Sequence, residues 1–331
     1  MRQILITPTI IEYSKDFANT LYNSRTRKSD KKKLFKLCKL RDSLSKDKND
    51  EKYAKYVQTI IDNYKNIIQL KPCEFNEYKE RFSEIVNDCS THTSISKTKS
   101  FSELVVNAME YDKMRINEFP IYVQKLGIKT CVYCNEQYAV TAIQRNHKSV
   151  LNYQLDHFQP KSLYPFLCTS FFNLVPSCSF CNQHKSTREI QFKLYITKPN
   201  EQEPFHFSLD YGSLIKYMVT FDSKFLNIRL KSSDLSLVDQ HSKIFKINER
   251  YEGHRDVAEE IIWKAKIYNK IYLSQLRDAF MESVYFQHVD FNRIILGTYG
   301  GCNDIHKRPL TLLQQDIAKQ LGIYWSINED K

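Results

Sequence analysis

Apolar positions recur along this chain with two periods, and the change from one to the other divides it. In EKYAKYVQTIIDNYKNIIQL (51–70), the residues Tyr53, Tyr56, Val57, Ile60, Ile61, Tyr64, Ile67 and Ile68 return every three or four positions opposite a polar face. That is the stripe of an amphipathic helix. Lys71-Pro72 is expected to end it, because a residue before proline is pushed out of helical geometry. A second helix is expected to about Asn87. A third should start at Ser100, where Ser100-x-x-Glu103 forms a capping box ahead of Leu104, Val105 and Met109. Residues 24–33 and 90–99 are polar and turn-rich. The basic run Arg25–Lys48 contains Leu34, Phe35, Leu37 and Leu40, the mark of an amphipathic helix rather than a tail.

Past residue 120 the pattern shortens. Strands are expected near Gln137–Ile143 and Val150–Asp156, joined by a hairpin turn around Arg145–Ser149, with a helix after Cys181 closing a ββα unit. Beyond Thr197-Lys198-Pro199, Tyr217–Phe221 and Leu226–Leu230 are expected to be strands. Asn248–Lys266, Ile271–Phe286 and Leu310–Leu321 are expected to be helices. The fold class is thus α+β in three regions: a basic helical region 1–120, a central domain 121–200, and an α+β C-terminal domain 201–331 expected to dock a protein partner or second subunit. No internal repeat or heptad array is present. With 7 glycines and no phosphate-cradling loop, nucleotide binding is not expected.

Composition adds a direction to this outline. Of the net +11, residues 1–50 supply +7, from 13 Lys and Arg against 6 Asp and Glu. Residues 201–331 are near neutral, at 17 against 18. The positive field therefore lies in the N-terminal and central parts, where phosphate-bearing partners would meet it; a solvated Lys-rich face is the alternative. Lys31, Lys32 and Lys33 are the N-terminal candidates for nucleic-acid contact. The opening MRQILITPTII is broken by Pro8 and followed by Glu12, unlike a signal peptide, and no run reaches 18 apolar residues. An odd number of cysteines, 9, points to a reducing, cytoplasmic setting.

Chemistry concentrates between Cys131 and Lys185. Two Cys-x-x-Cys pairs, Cys131/Cys134 and Cys178/Cys181, have the form of a four-thiolate zinc site. The 43 residues between the pairs far exceed what a zinc ribbon needs, about 15–20. Within them lies Asp156-His157, and Asp156 is the only acidic residue between Gln137 and Arg188. A histidine titrating near neutrality can deprotonate a water, and a carboxylate can hold a hard cation such as Mg²⁺ or Mn²⁺. Asn182 offers an amide oxygen for the same cation, with His184 the competing choice. Adjacent strand residues point to opposite faces, so a bend is expected at Asp156-His157, supported by Gln159-Pro160. Cys38, Cys73, Cys89, Cys168 and Cys302 show no paired spacing and read as reduced thiols.

The order Cys-x-x-Cys, Asp-His-x-x-Pro-Lys-Ser, Asn-Leu-x-Pro, Cys-x-x-Cys-Asn-x-x-Lys resembles the HNH endonuclease family, over residues 131–186. The resemblance implies a ββα-metal fold and a metal-dependent nuclease. It implies that His157 is the general base, that Asn173 is the middle asparagine fixing the loop behind it, and that Asn182 takes the third position. Many members carry histidine at that third position, so the chain resembles a His-Asn-Asn branch. Lys161 and Lys185, within the motif, are candidates for phosphate contact. DNA is the expected substrate, with RNA open. Similar proteins occur in Septu-like bacterial antiphage systems, which implies a possible ATPase partner. The rival reading is a non-catalytic zinc module that binds nucleic acid or protein.

Overall fold

A computed structural model describes residues 1–26, 33–144, 149–201, 203–281 and 291–323. The chain forms two compact units, one of residues 4–128 and 139–199, the other of residues 1–3, 129–138 and 200–331.

The first unit opens with β1 (Ile4–Leu5), which pairs in parallel with β8 (Tyr195–Ile196). Its helices are α1 (Pro8–Ser24), α2 (Phe35–Leu44), α3 (Glu51–Asp62), α4 (Tyr64–Gln69), α5 (Phe75–Ile85), α6 (Phe101–Ala108), α7 (Tyr111–Lys113), α8 (Pro120–Lys125) and α9 (Ser179–Lys185). The stripe read from the sequence is the buried face: Tyr53, Tyr56, Val57, Ile60, Tyr64, Ile67 and Ile68 are all buried. The single helix expected there is interrupted at Asn63, whose side-chain amide donates to the Thr59 carbonyl at 2.9 Å. Such local bonding competes with the helical ladder. At Ser100 the capping box is present, with the Ser100 side chain accepting from the Glu103 N–H and Glu103 accepting from the Ser100 N–H at 2.7 Å.

The strands correct the sequence reading. A short hairpin joins β2 (His92–Thr93) to β3 (Ser96–Ser100). A second pairs β4 (Thr141–Ile143) with β5 (Ser149–Leu151); most of its expected turn, 145–148, lies outside the described residues. The expected strand over 150–156 is two elements, because β6 (Gln154–His157) leaves β5 and pairs antiparallel with β7 (Leu174–Ser177). The ββα unit is therefore β6, β7 and α9. The apolar run Leu174-Val175-Pro176, read only as motif, is its second strand, and the proline is tolerated because a two-stranded ladder has open edges. Aromatic rings hold the intervening loop. Phe166 stacks on Phe82 at 4.1 Å between centroids, and Tyr56 meets Phe82 edge-on at 4.7 Å.

The second unit pairs β9 (His206–Leu209) with β10 (Ile228–Lys231), joined through α10 (Tyr211–Thr220). Tyr217–Phe221, expected as a strand, instead completes α10: Asp210 caps it, and Phe221 ends it in a left-handed conformation. Then follow α11 (Leu235–Phe245), α12 (Ile247–Tyr251), α13 (Arg255–Ile267), α14 (Lys270–Met281), α15 (Phe291–Leu296) and α16 (Thr311–Gln320). The expected 248–266 helix is broken by a tight turn at Glu252–His254, which holds Gly253. Residues 282–286 of the next expected helix lie outside the described residues. On α16, Asp316 accepts from the Phe207 N–H and Gln320 bonds both the N–H and the carbonyl of Leu209, closing the edge of β9. Among the described residues no helix is long and apolar enough to cross a membrane.

Candidate active site and zinc centre

Lone pairs and charges in the ββα unit are arranged by two neighbouring residues of one strand. The β6 ladder continues through His157, opposite Leu174, and the bend follows at Phe158-Gln159 rather than at Asp156-His157. Asp156 and His157 accordingly take their side chains to different partners, as strand geometry requires.

Asp156 meets α9. Its carboxylate lies 3.3 Å from the Lys185 ammonium, which also donates to the His157 carbonyl at 2.7 Å. The Lys185 side chain has no exposure and Asp156 only 7 %, so this is a buried ion pair. Burial pulls the Lys185 pKa down, and Asp156 opposes that shift. A phosphate contact by Lys185 is not compatible with this placement: the motif lysine ties α9 to β6 from inside. One turn earlier on the same helix, Asn182 donates its amide N–H to the Gln154 side chain. Gln154 and Asp156 alternate along the strand as Asn182 and Lys185 are spaced along the helix, so the two pairs form one polar seam. His184 points elsewhere, stacked on Phe180 at 3.9 Å with Nδ1 bonded to the Phe180 carbonyl.

His157 is buried against the loop between the strands. Its Nε2 lies 2.9 Å from the Cys168 carbonyl. A carbonyl can only accept, so Nε2 carries the proton and Nδ1 keeps the lone pair. Burial drives the His157 pKa down to about 3, assisted by the Lys161 charge and opposed by the Cys168 hydrogen bond. Tyr111 packs beside it, ring centroids 4.8 Å apart, with its hydroxyl donating to the Leu155 carbonyl at 2.9 Å. On the Tyr111 ring sits the Lys161 ammonium, 4.2 Å from the centroid.

Asn173, fully buried, ties this loop together. Its side-chain oxygen accepts from the Gln159 N–H at 2.7 Å, and its amide donates to the carbonyls of Gln159 at 3.1 Å and Leu167 at 3.0 Å. Three bonds to backbone clamp both ends of the segment that supplies the Cys168 carbonyl. Of the N-terminal candidates, Lys31 and Lys32 lie outside the described residues. Lys33 is exposed, with its ammonium 3.2 Å from Asn23. Part of the surrounding basic run is already paired: Arg25 is buried against Glu118 at 2.7 Å, and the exposed Lys36 pairs with Glu110 at 2.8 Å.

The four motif cysteines are buried, and their Sγ atoms all lie within 4.8 Å of one another. A tetrahedron with Zn–S bonds of about 2.3 Å has edges of about 3.8 Å, so the donors fit zinc in number, softness and spacing. N–H groups already point at the sulfurs: Glu136 N to Cys134 and Cys181 N to Cys178, each 3.5 Å, and the Arg250 guanidinium to Cys134 at 3.6 Å. Such donors stabilise thiolate. The Cys131–Cys134 turn is further held by Tyr251, whose hydroxyl donates to the Cys134 carbonyl at 2.6 Å, and by Asn135, whose amide reaches the Ile305 carbonyl at 2.8 Å. For a hard divalent cation the seam offers oxygen donors of the right kind, the Asp156 carboxylate and the Asn182 amide, with the Lys185 ammonium as competitor for the carboxylate.

Sequence reasoning missed Tyr111, Gln154 and the internal role of Lys185. For Gln154 a signal existed, its two-residue offset from Asp156; for Tyr111, about 45 residues before Asp156, there was none.

A comparison with protein families matches residues 131–189 to HNH_4, described as HNH endonuclease. No curated protein and no solved structure gives a match. The matched segment contains the four motif cysteines, β6, the Asn173 loop, β7 and α9, so over residues 131–189 the chain is similar to the HNH endonuclease family.

Proposed function

We propose that the chain hydrolyses phosphodiester bonds in DNA, with His157 as general base. The observation that carries this reading is the setting of His157: it stands beside the buried Asp156–Lys185 pair, against a loop clamped by Asn173, within the segment that matches the HNH endonuclease family. The Nε2 bond to the Cys168 carbonyl leaves Nδ1 unprotonated, and burial keeps the imidazole neutral. Neutral imidazole is the form that accepts a proton from water. Asn173 positions the loop that holds the imidazole. Asp156 and Asn182 would hold a Mg²⁺ or Mn²⁺ ion, which supplies charge stabilisation to the phosphoryl oxygens when bound. Lys185 pairs with Asp156 and ties it to α9. The zinc centre is structural, since four sulfur ligands leave zinc no open position. The antiphage setting and ATPase partner rest on the motif resemblance alone.

The test is cleavage of supercoiled plasmid and of RNA by purified protein, with and without Mg²⁺ or Mn²⁺. Cation-dependent cleavage of plasmid supports the reading. Cleavage of RNA alone moves the substrate, and cleavage of neither favours a binding module.

A further inference from the structure

Among the described residues one charged group near His157, Lys161, has no carboxylate within ion-pair distance; Asp112 and Asp156 act on it from farther away. Lys161 is half-buried, and its contact among the described residues is the face of Tyr111, 4.2 Å away. A cation–π contact only partly replaces the water an ammonium loses on burial, and burial lowers the Lys161 pKa accordingly. The ammonium borders a cavity of about 380 Å³ lined by Lys99, Ser102, Glu103, Val106, Asn107, Lys161 and Ser162. This cavity joins the exposed end of β3 to α6 and to the loop that follows His157.

The lining carries two cations against one acid. Lys99 and Lys161 are cationic, and Ser102, Asn107 and Ser162 are neutral hydrogen-bonding side chains. The acid, Glu103, is held by the Ser100 N–H at 2.7 Å and the Ser100 hydroxyl at 3.0 Å and also feels the Lys99 charge, which leaves Lys161 as the cation facing the cavity without an acid on the wall beside it. Asp112 bears on Lys161 only at longer range, because its carboxylate pairs with Arg115 at 2.9 Å. The Lys161 charge is also felt at His157, one Tyr111 ring away.

We propose that this cavity is a subsite for a backbone phosphate of the nucleic-acid strand, flanking the phosphate that is cleaved, with Lys161 and Lys99 neutralising it. The proposal rests on the nuclease reading. It makes the N-terminal helical region part of the substrate track through β3 and α6, and gives Lys161 a role that Lys185 cannot fill.

Its test is duplex DNA binding by the full chain across a salt series, in a His157→Ala background that prevents turnover. Lys161→Gln and Lys99→Gln should each weaken binding about three- to tenfold regardless of sequence, and each should reduce the slope of log K against log salt by about 0.9. Lys161→Arg should restore the slope, and Lys216→Gln on α10 should leave it unchanged. If the parent binds DNA and neither Lys161→Gln nor Lys99→Gln alters affinity or slope, the subsite is wrong while the nuclease reading stands. A parent that binds neither duplex DNA nor RNA contradicts the nuclease reading itself.

Discussion

The two compact units bury histidines in nearly the same way and surround them differently. In the ββα unit, His157 gives its Nε2–H to the Cys168 carbonyl. In the other unit, His241 does the same to Tyr133 at 2.7 Å, and His306 to Arg2 at 2.7 Å. Burial drives all three pKa values to about 3. A shifted pKa and a fixed tautomer therefore do not mark a base. The neighbours make the difference. His241 lies between Phe205 and Phe245, at 4.5 and 4.7 Å, and fills a core. His157 stands at the end of β6 beside a buried ion pair, near the Lys161 ammonium, against a loop clamped by Asn173. The lesson is that burial and a fixed tautomer do not separate these histidines, and that their surroundings do.

The largest expected effect falls on the frame shared by the account of the site. Cys181→Ser, or prolonged chelation, should remove zinc and the cooperative unfolding transition together. Structural zinc sites are worth about 10–16 kcal/mol in small domains, as much as a whole domain's stability. Elemental analysis and a thermal melt check this; full folding without zinc would dissolve the four-cysteine centre.

Next comes the ion pair that distinguishes the ββα unit. Lys185→Met should destabilise the protein by about 3–5 kcal/mol, because it strands Asp156 in a buried position. Urea denaturation reads the loss, and Asp156→Asn combined with Lys185→Met should recover part of it. An unchanged midpoint for Lys185→Met would return that lysine to the surface and reopen the phosphate assignment. Asn173→Ala should cost about 1–3 kcal/mol by freeing buried backbone groups, and cleavage should fall as well, since the loop behind His157 loses its clamp.

The comparison sharpens further with His241→Phe, which should change stability by about 1–3 kcal/mol and leave the cleavage rate per folded molecule intact. A matching loss of rate would put His241 in the catalytic machinery and break the contrast. The smallest effect is a pH dependence. His306 has a folded pKa of about 3, below its unfolded value, so between those two the unfolded chain binds the extra proton. Its contribution is fully present at neutral pH and is lost as pH falls from about 6.5 towards 3. Stability curves of His306→Gln and the wild type should therefore converge on acidification; parallel curves would mean that His306 takes up its proton as readily in the fold as in the unfolded chain.

How much of this was legible follows from the range of the interactions. The α3–α4 stripe and the Ser100 capping box were legible because spacing along a helix is local. The zinc cysteines and Asp156-His157 stood out because few other residues combine that chemistry at that spacing. The β6–β7 pair was not, since Leu174–Ser177 meets its partner across a loop that leaves no periodicity. Tyr217–Phe221 misled because its apolar residues suit either structure, and the cap at Asp210 decided for helix. Lys185 misled most instructively: a lysine beside a metal-site motif invites phosphate, while its buried partner Asp156 lies 29 residues away.

The central claim is that His157 is the base. Cleavage of supercoiled plasmid in Mg²⁺ or Mn²⁺ by folded, zinc-loaded His157→Ala, set against the wild type, tests it most directly. The account predicts a rate about 10²–10⁴-fold lower, with the thermal melt and zinc content retained. Near-normal cleavage by that variant would contradict it.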